Sequence, residues 1–299
     1  MSIPTTVYKT HATGNDFIVY ADPEGKYDPT DVEVRVLCNR HFGVGADGLI
    51  RLAAVKDVPD LDEQTLQLFA EEQVEWFMDY RNADGSLAEM CGNGTRAVTL
   101  FAQHQGLISL SEGESVKLGT RAGVKTLTYL GDVEPCGKNT FRVDMGGWGR
   151  GELDAYAVTI PGSEGAARGT FVDMGNPHVV AVISEESSTL PAMDMLNLRV
   201  KPLVSPTIET DQNVEFVSID EIDGANNRGI ATMRVNERGV GETLSCGTGL
   251  CATGIVLQAK TGIDHWTIVM RGGTLLVDVS DDDVTLTGSA MMVSKVELL

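Results

Sequence analysis

From Val7 to Gly25 the chain reads VYKTHATGNDFIVYADPEG, with apolar and polar residues alternating on both sides of Gly14-Asn15. That pattern predicts two strands around a tight turn. Residues 116–132, VKLGTRAGVKTLTYLGD, predict a hairpin by the same rule. After Trp266 the segments WTIVM, TLLVDV and VTLTGSAMMVSKVEL, separated by RGG and SDDD, predict a β-meander. Helical signals are fewer. Thr95–Gln105 stops at Gly106 and Leu250–Lys260 stops just before Gly262, so each has a glycine terminator. Ala97, Val98, Leu100, Phe101 and Ala102 cover most of the first helix's circumference. Leu250, Cys251, Ile255, Val256, Leu257 and Ala259 do the same in the second. A helix apolar nearly all round is buried, which predicts a helix enclosed by a curved sheet in each half of the chain. The acidic stretch KDVPDLDEQTLQLFAEEQVEW is a solvated loop or helix.

The two helical segments follow nearly identical turns, AEMCGNGTRAV at 88–98 and LSCGTGLCATG at 244–254. A Gly-Asn pair precedes each, Gly14-Asn15 before Cys91 and Gly175-Asn176 before Cys246. Asn82 and Glu237 stand nine residues before the respective cysteines. The repeat predicts an α+β protein of two pseudo-symmetric domains facing each other across a cleft, each a curved, mostly antiparallel sheet around a central helix. Glycine concentrates between residues 131 and 151, which places the boundary there and divides the chain into 1–142, carrying Cys91, and 143–287, carrying Cys246.

Length agrees with two domains, since 299 residues bury two ordinary cores. A net charge of −20 excludes a nucleic-acid binder, which needs a basic face. No apolar run reaches the ~18 residues of a membrane span, and the opening MSIPTTVYKT lacks the features of a signal peptide, so a cytoplasmic protein is expected. Five dispersed cysteines do not form a disulfide framework, and no paired spacing suggests zinc or another metal. The thiols are expected to be reduced, and the Asn93-Gly94-Thr95 glycosylation triplet carries no meaning in that compartment. GVGADG at 43–48 matches a dinucleotide fingerprint in letters only. The segment before it, DVEVRVLCNRHF, reads as a helix running into a glycine turn rather than as a strand.

Each cysteine turn brings together a thiol at the positive end of a helix, which favours thiolate, and glycines whose N–H groups can hold a carboxylate. Two such turns can place a thiol on each side of one carbon, removing a proton from one face and returning one to the other. Small buried cysteines at helix starts are common, but the repeated glycine spacing favours chemistry at Cys91 and Cys246. His178 and Glu237 are candidates to set the thiols' proton positions. Cys38, Cys136, Cys251, His41, His104 and His265 receive only structural roles.

The segments HATGNDF, GVGADG, NADGSLAEMCGNGTRA, GNPHVV, NVEFV and NERGVGETLSCGTG, in that order, resemble the diaminopimelate epimerase family over nearly the whole chain. The resemblance implies a pyridoxal-independent isomerase that interconverts LL- and meso-2,6-diaminopimelate in lysine and peptidoglycan precursor synthesis, without cofactor or metal. It implies a homodimer, and a C-terminal strand, 288–299, returning to the first domain. Carried over residue by residue, Cys91 and Cys246 are the acid/base thiols and His178 and Glu237 tune them. Asn15, Asn82, Gly92, Asn93, Asn176, Asn213, Glu237, Arg238, Gly247 and Thr248 bind substrate. Gly48 stands where many members carry glutamine, so no contact is carried over to it. A proline or hydroxyproline racemase, or a non-catalytic binding protein on the same fold, is the alternative.

Overall fold

Thr13 and Gly14 both lie at positive φ, 49° and 84°, and form the two-residue turn between β1 (Thr6–Ala12) and β2 (Asn15–Asp22). Only such mirror-image turns match the twist of two adjacent strands, and glycine takes the second position without strain. In the computed structural model, which describes residues 2–299, this hairpin begins the first of two compact units. One unit comprises the chain up to Val143 together with 288–299, and the other comprises Asp144–Thr287.

In the first unit α1 (Asp31–Cys38) starts at a capping box in which Thr30 and Glu33 satisfy each other's backbone N–H groups. Next come β3 (Gly48–Ala54), α2 (Glu63–Glu71) in the acidic stretch, with Phe69 buried, and β4 (Trp76–Asn82). Then follow α3 (Gly92–His104), β5 (Ser115–Thr120), β6 (Gly123–Val133) and β7 (Gly137–Gly146). β2 runs parallel to β3, β3 antiparallel to β4, β4 parallel to β5, and β5 to β7 form antiparallel neighbours.

In the second unit β8 (Gly149–Arg150) and β9 (Tyr156–Thr159) lead to the hairpin of β10 (Ala167–Asp173) and β11 (Pro177–Val182). β12 (Leu203–Ser205) pairs with β9. β13 (Asn213–Asp223), β14 (Arg228–Glu237), β15 (Gly241–Thr243), α4 (Gly247–Thr261), β16 (His265–Met270), β17 (Gly273–Val279) and β18 (Val284–Ser289) complete it. The order of pairings repeats that of the first unit. β11 is parallel to β13, β13 antiparallel to β14, β14 parallel to β16, and β16 to β18 are antiparallel neighbours. Finally β19 (Met291–Glu297) pairs antiparallel with β1. The expected C-terminal meander therefore breaks at Ala290. Its last strand is taken by the first unit, because the hydrogen-bonding edge of β1 is satisfied there.

The two central helices start three residues earlier than their apolar patterns predict, at Gly92 and Gly247, with Cys91 and Cys246 as N-caps. Glycine-rich first turns have low helix propensity and hide a helix start from pattern reading. Residues 92–102 of α3 are all buried, and α4 is as enclosed from Gly249 to Leu257. α3 packs on β1 to β4, and α4 on β10, β11, β13, β16 and β17. The helix and sheet approach closely at Gly254, where an added Cβ would lie 2.6 Å from Val277 Cγ1. In an exposed helix Gly→Ala stabilises by about 1 kcal/mol, whereas overpacking a core costs about 1–3 kcal/mol. Gly254→Ala is therefore expected to lower Tm, against its helix propensity. A thermal melt showing an unchanged or raised Tm would contradict this packing.

Candidate active site

Cys91 ends the loop after β4 and caps α3 with its sulfur, 3.4 Å from the Gly94 N–H. Its thiol faces Asn15 Oδ1 at 3.5 Å, and Asn93 Nδ2 donates to the same oxygen at 3.2 Å. That oxygen is presented to the thiol because Asn15 Nδ2 is held by Asp47 Oδ2 at 2.8 Å. Asp47 is in turn fixed by Arg40, which also forms two hydrogen bonds to Asp16 at 2.9 and 2.6 Å. Burial alone would raise the Asp16 carboxyl, but hydrogen bonds from Arg40 and Lys9 hold it well below the usual carboxylate range. Arg96, fully buried, donates to Asn93 Oδ1 at 2.8 Å and to Thr13 Oγ1 at 3.2 Å, tying the hairpin turn to the helix start. Gly92 and Asn93 form the first turn of α3, where backbone N–H groups point out of the helix start.

The second unit builds the corresponding arrangement with different chemistry. Cys246 caps α4 and is 5% exposed. Its sulfur lies 3.7 Å from Thr248 Oγ1, and Thr248 receives Asn176 Nδ2 at 3.4 Å. His178 is fully buried, with Nε2 3.1 Å from Asn176 Oδ1 and Nδ1 2.7 Å from Glu215 Oε1. Glu237, at the end of β14, accepts from Thr243 Oγ1 at 2.5 Å and is hydrogen-bonded to the Cys246 thiol. Among the predicted residues, Asn15, Asn93 and Cys91 gather in the first unit, and Asn176, His178, Glu237, Thr248 and Cys246 in the second.

Arg238 and Asn213 are linked to each other, since the Arg238 N–H donates to Asn213 Oδ1 at 2.9 Å. The Arg238 guanidinium reaches the Thr210 carbonyl at 2.9 Å. Asn82 instead bonds Ser86 Oγ at 3.0 Å. Gly48 opens β3 with no room for a side chain, because a Cβ there would meet Tyr80 Cε2 at 2.5 Å and the Arg81 carbonyl at 2.6 Å. Among the described residues no three or more His, Cys, Asp or Glu side chains cluster as metal ligands. No helix of the described chain is long and apolar enough to cross a membrane.

The expected pull of the helix dipole toward thiolate does not decide the state of Cys246. Burial pushes this thiol well above the usual cysteine range, and the carboxylates of Glu237 and Glu215 push it further. The Gly249 N–H and Thr248 oppose this. A dipole contributes about 0.3–1 kcal/mol at a helix end, less than the cost of burying a thiolate.

The chain matches the diaminopimelate epimerase family over residues 7–148 and 170–296. The chain belongs to the diaminopimelate epimerase family. A diaminopimelate epimerase from Corynebacterium glutamicum is 37% identical to it over 297 residues, 98% of each chain. One from Streptomyces coelicolor is 36% identical over 310 residues, 99% of this chain and 96% of that one. Among solved structures, a hydroxyproline epimerase from Agrobacterium vitis with bound trans-4-hydroxy-L-proline has a TM-score of 0.63 at 16% identity, covering 97% of this chain and 89% of that one. A phenazine biosynthesis protein of the PhzF family from Bacillus anthracis has a TM-score of 0.64 at 15% identity over 98% of both chains. At such identities the two structures share the fold alone, which is the two-domain α+β epimerase fold.

Within this diaminopimelate epimerase-family chain, sequence reading missed Asp47, which orients Asn15, and Glu215, which touches His178. Glu215 did leave a signal, an acidic residue in the middle of the apolar strand segment NVEFV. Asp47 left only the GVGADG letters.

Burial also raises the Glu237 carboxyl, against the hydrogen bonds from Thr243 and Cys246. A carboxyl whose folded pKa exceeds its unfolded value destabilises the fold above that unfolded value, near 4.5 for glutamate, and is neutral below it. Glu237→Gln should therefore raise Tm at pH 7–8. The gain should vanish as pH falls below about 4.5, while turnover drops. A Tm gain that persisted unchanged in acid would assign the effect to something other than the buried charge.

Proposed function

We propose that this chain interconverts LL- and meso-2,6-diaminopimelate by proton transfer through Cys91 and Cys246. The observation that carries this reading is the duplication of one device, a cysteine at the N-cap of a buried helix with an asparagine amide near it, Asn15 directly on the Cys91 thiol and Asn176 reaching Cys246 through Thr248. A carbon acid is inverted when a base takes its proton on one face and an acid returns a proton on the other. In the proposed cycle one thiolate takes the α-proton and becomes a thiol. The opposite thiol gives up its proton and becomes a thiolate. Cys246, kept neutral by burial and by the Glu237 and Glu215 carboxylates, begins as the acid when Cys91 begins as the base.

The substrate's ammonium and carboxylate suit the amides of Asn15, Asn82, Asn93, Asn176 and Asn213 and the first-turn N–H groups of Gly92, Asn93, Gly247 and Thr248. Glu237 hydrogen-bonds the acid thiol, and Arg238, exposed on the turn after β14, is the clamp for a carboxylate. The reaction needs no cofactor in this scheme. Enzyme dialysed against chelator is expected to convert LL-diaminopimelate to the meso isomer at full rate. It should leave proline unchanged, and proline racemisation in place of that conversion would overturn the reading. The domains proposed are 1–142 and 143–287 with 288–299 joining the first. A cytoplasmic homodimer completes the reading, to be checked by fractionation and light scattering.

A further inference from the structure

Glu215 is wholly buried in β13, its Oε1 on His178 Nδ1 at 2.7 Å and its Oε2 without a hydrogen-bond partner. A carboxyl left half-satisfied in the interior costs stability and calls for a reason. The matching position in the first unit shows that packing is not the reason. There Phe17 pairs beside Gly48, which lies opposite Asn82. In the second unit His178 pairs beside Asn213, which follows the Val214–Asn236 pair into line with Glu237. Glu215 therefore corresponds to Ile50 and His178 to Phe17, both fully buried. The same scaffold closes around two apolar residues in one unit and around an acid and an imidazole in the other.

The contrast lies directly behind the thiols. A Cβ built on Gly94, next to Cys91, would meet Met78 Cε at 2.9 Å and Ile50 Cδ1 at 3.2 Å. A Cβ built on Gly249, the matching glycine after Cys246, would meet Glu215 Oε1 at 2.6 Å and Cys246 Sγ at 3.2 Å. From Glu215 the hydrogen bonds run to His178 (2.7 Å), to Asn176 (3.1 Å), to Thr248 (3.4 Å) and to Cys246 (3.7 Å). A ring nitrogen and a carboxyl oxygen 2.7 Å apart share one proton, so one lies between Nδ1 and Oε1, while Nε2 faces the Asn176 amide.

We propose that Glu215 is a positioning residue of the epimerase reaction. It fixes His178 through this shared proton, His178 fixes the Asn176 amide, and Thr248 carries that orientation to the Cys246 thiol. Cys91 has no counterpart of the carboxyl–imidazole pair, so the two thiols are chemically unequal although their backbones repeat. The ionisable groups facing Glu215 are His178 from β11, Glu237 from β14 and Cys246 from α4. The proposal rests on the reading of Cys246 as an acid/base group.

The test uses the intact enzyme with Glu215→Gln, which keeps size and removes the charge, and Glu215→Ile, which installs the first unit's residue. Removing a supporting partner of this kind typically costs about 10- to 100-fold in activity. Both variants are expected to lose kcat in that range, with KM changed less than about threefold and with the pH profile of kcat displaced. Proton NMR of the wild type, independent of turnover, should show a far-downfield imidazole resonance that exchanges slowly with water. That resonance should disappear in Glu215→Gln and persist in Cys246→Ser. Wild-type kcat and pH profile in either variant, or no such resonance in the wild type, would overturn the proposal. A wild type that carried the resonance but failed to turn over diaminopimelate would instead sink the functional reading and leave the shared proton standing.

Discussion

Alanine in place of Cys91 or Cys246 is expected to stop epimerisation, with kcat for either direction falling by about 1,000-fold or more. General acid–base groups contribute about 10²- to 10⁴-fold each, and inversion needs both at once. The losses should therefore not add, and the double variant should be about as inactive as each single one. The fold should survive. Cys91 accepts one cap hydrogen bond, from Gly94, whose removal costs about 0.5–2 kcal/mol. Cys246 makes no side-chain cap bond, so its variant loses a small buried side chain and the thiol's contacts with Glu237 and Thr248. Chiral chromatography of LL-diaminopimelate incubations reads the rate, and circular dichroism reads the fold. A folded single variant with kcat within threefold of wild type would remove that cysteine from the mechanism.

Turnover in heavy water should separate two bases from one. The thiol that returns a proton has exchanged with solvent, so meso product formed from unlabelled LL substrate should carry close to one deuterium at the inverted α-carbon from the first turnovers. Recovered LL substrate should stay almost unlabelled, because the proton taken by the opposite thiolate leaves on that sulfur and can return only to the face it came from. A single base reaching both faces would pass part of the original hydrogen into product. Mass spectrometry at low conversion distinguishes the cases. Substantial unlabelled meso product would rule out separate roles for the two thiols, and equal early labelling of substrate and product would mean that thiol exchange outruns the second transfer.

The parts of this molecule that could be read in advance rest on neighbours in sequence. Alternation around Gly14-Asn15 marks the β1–β2 hairpin, and apolar circumferences mark α3 and α4 as enclosed helices. The repeated cysteine, glycine and asparagine spacing exposes the duplication, because each half needs the same local turn chemistry. The helix starts were hidden by their glycines. The split of the last β-rich segment at Ala290 leaves no mark in its alternation, since β19 answers to the edge of β1, nearly the whole chain away, and only the family resemblance implied that 288–299 returns to the first domain.

By itself, then, the sequence determined the fold class, the repeated cysteine-headed turns and the family, since these depend on periodicity and on residue types within a few positions of each other. Tertiary structure alone decided the proton chemistry around them. His178 and Glu215 lie 37 residues apart and meet because β11 and β13 run in parallel register. Asn15 and Asp47 meet across 32 residues, where β2 runs beside β3. A helix N-terminus read locally favours thiolate at Cys246, while burial and two carboxylates brought in from β13 and β14 push it the other way. Desolvation and charge depend on everything packed around an atom, and no spacing along the chain encodes that.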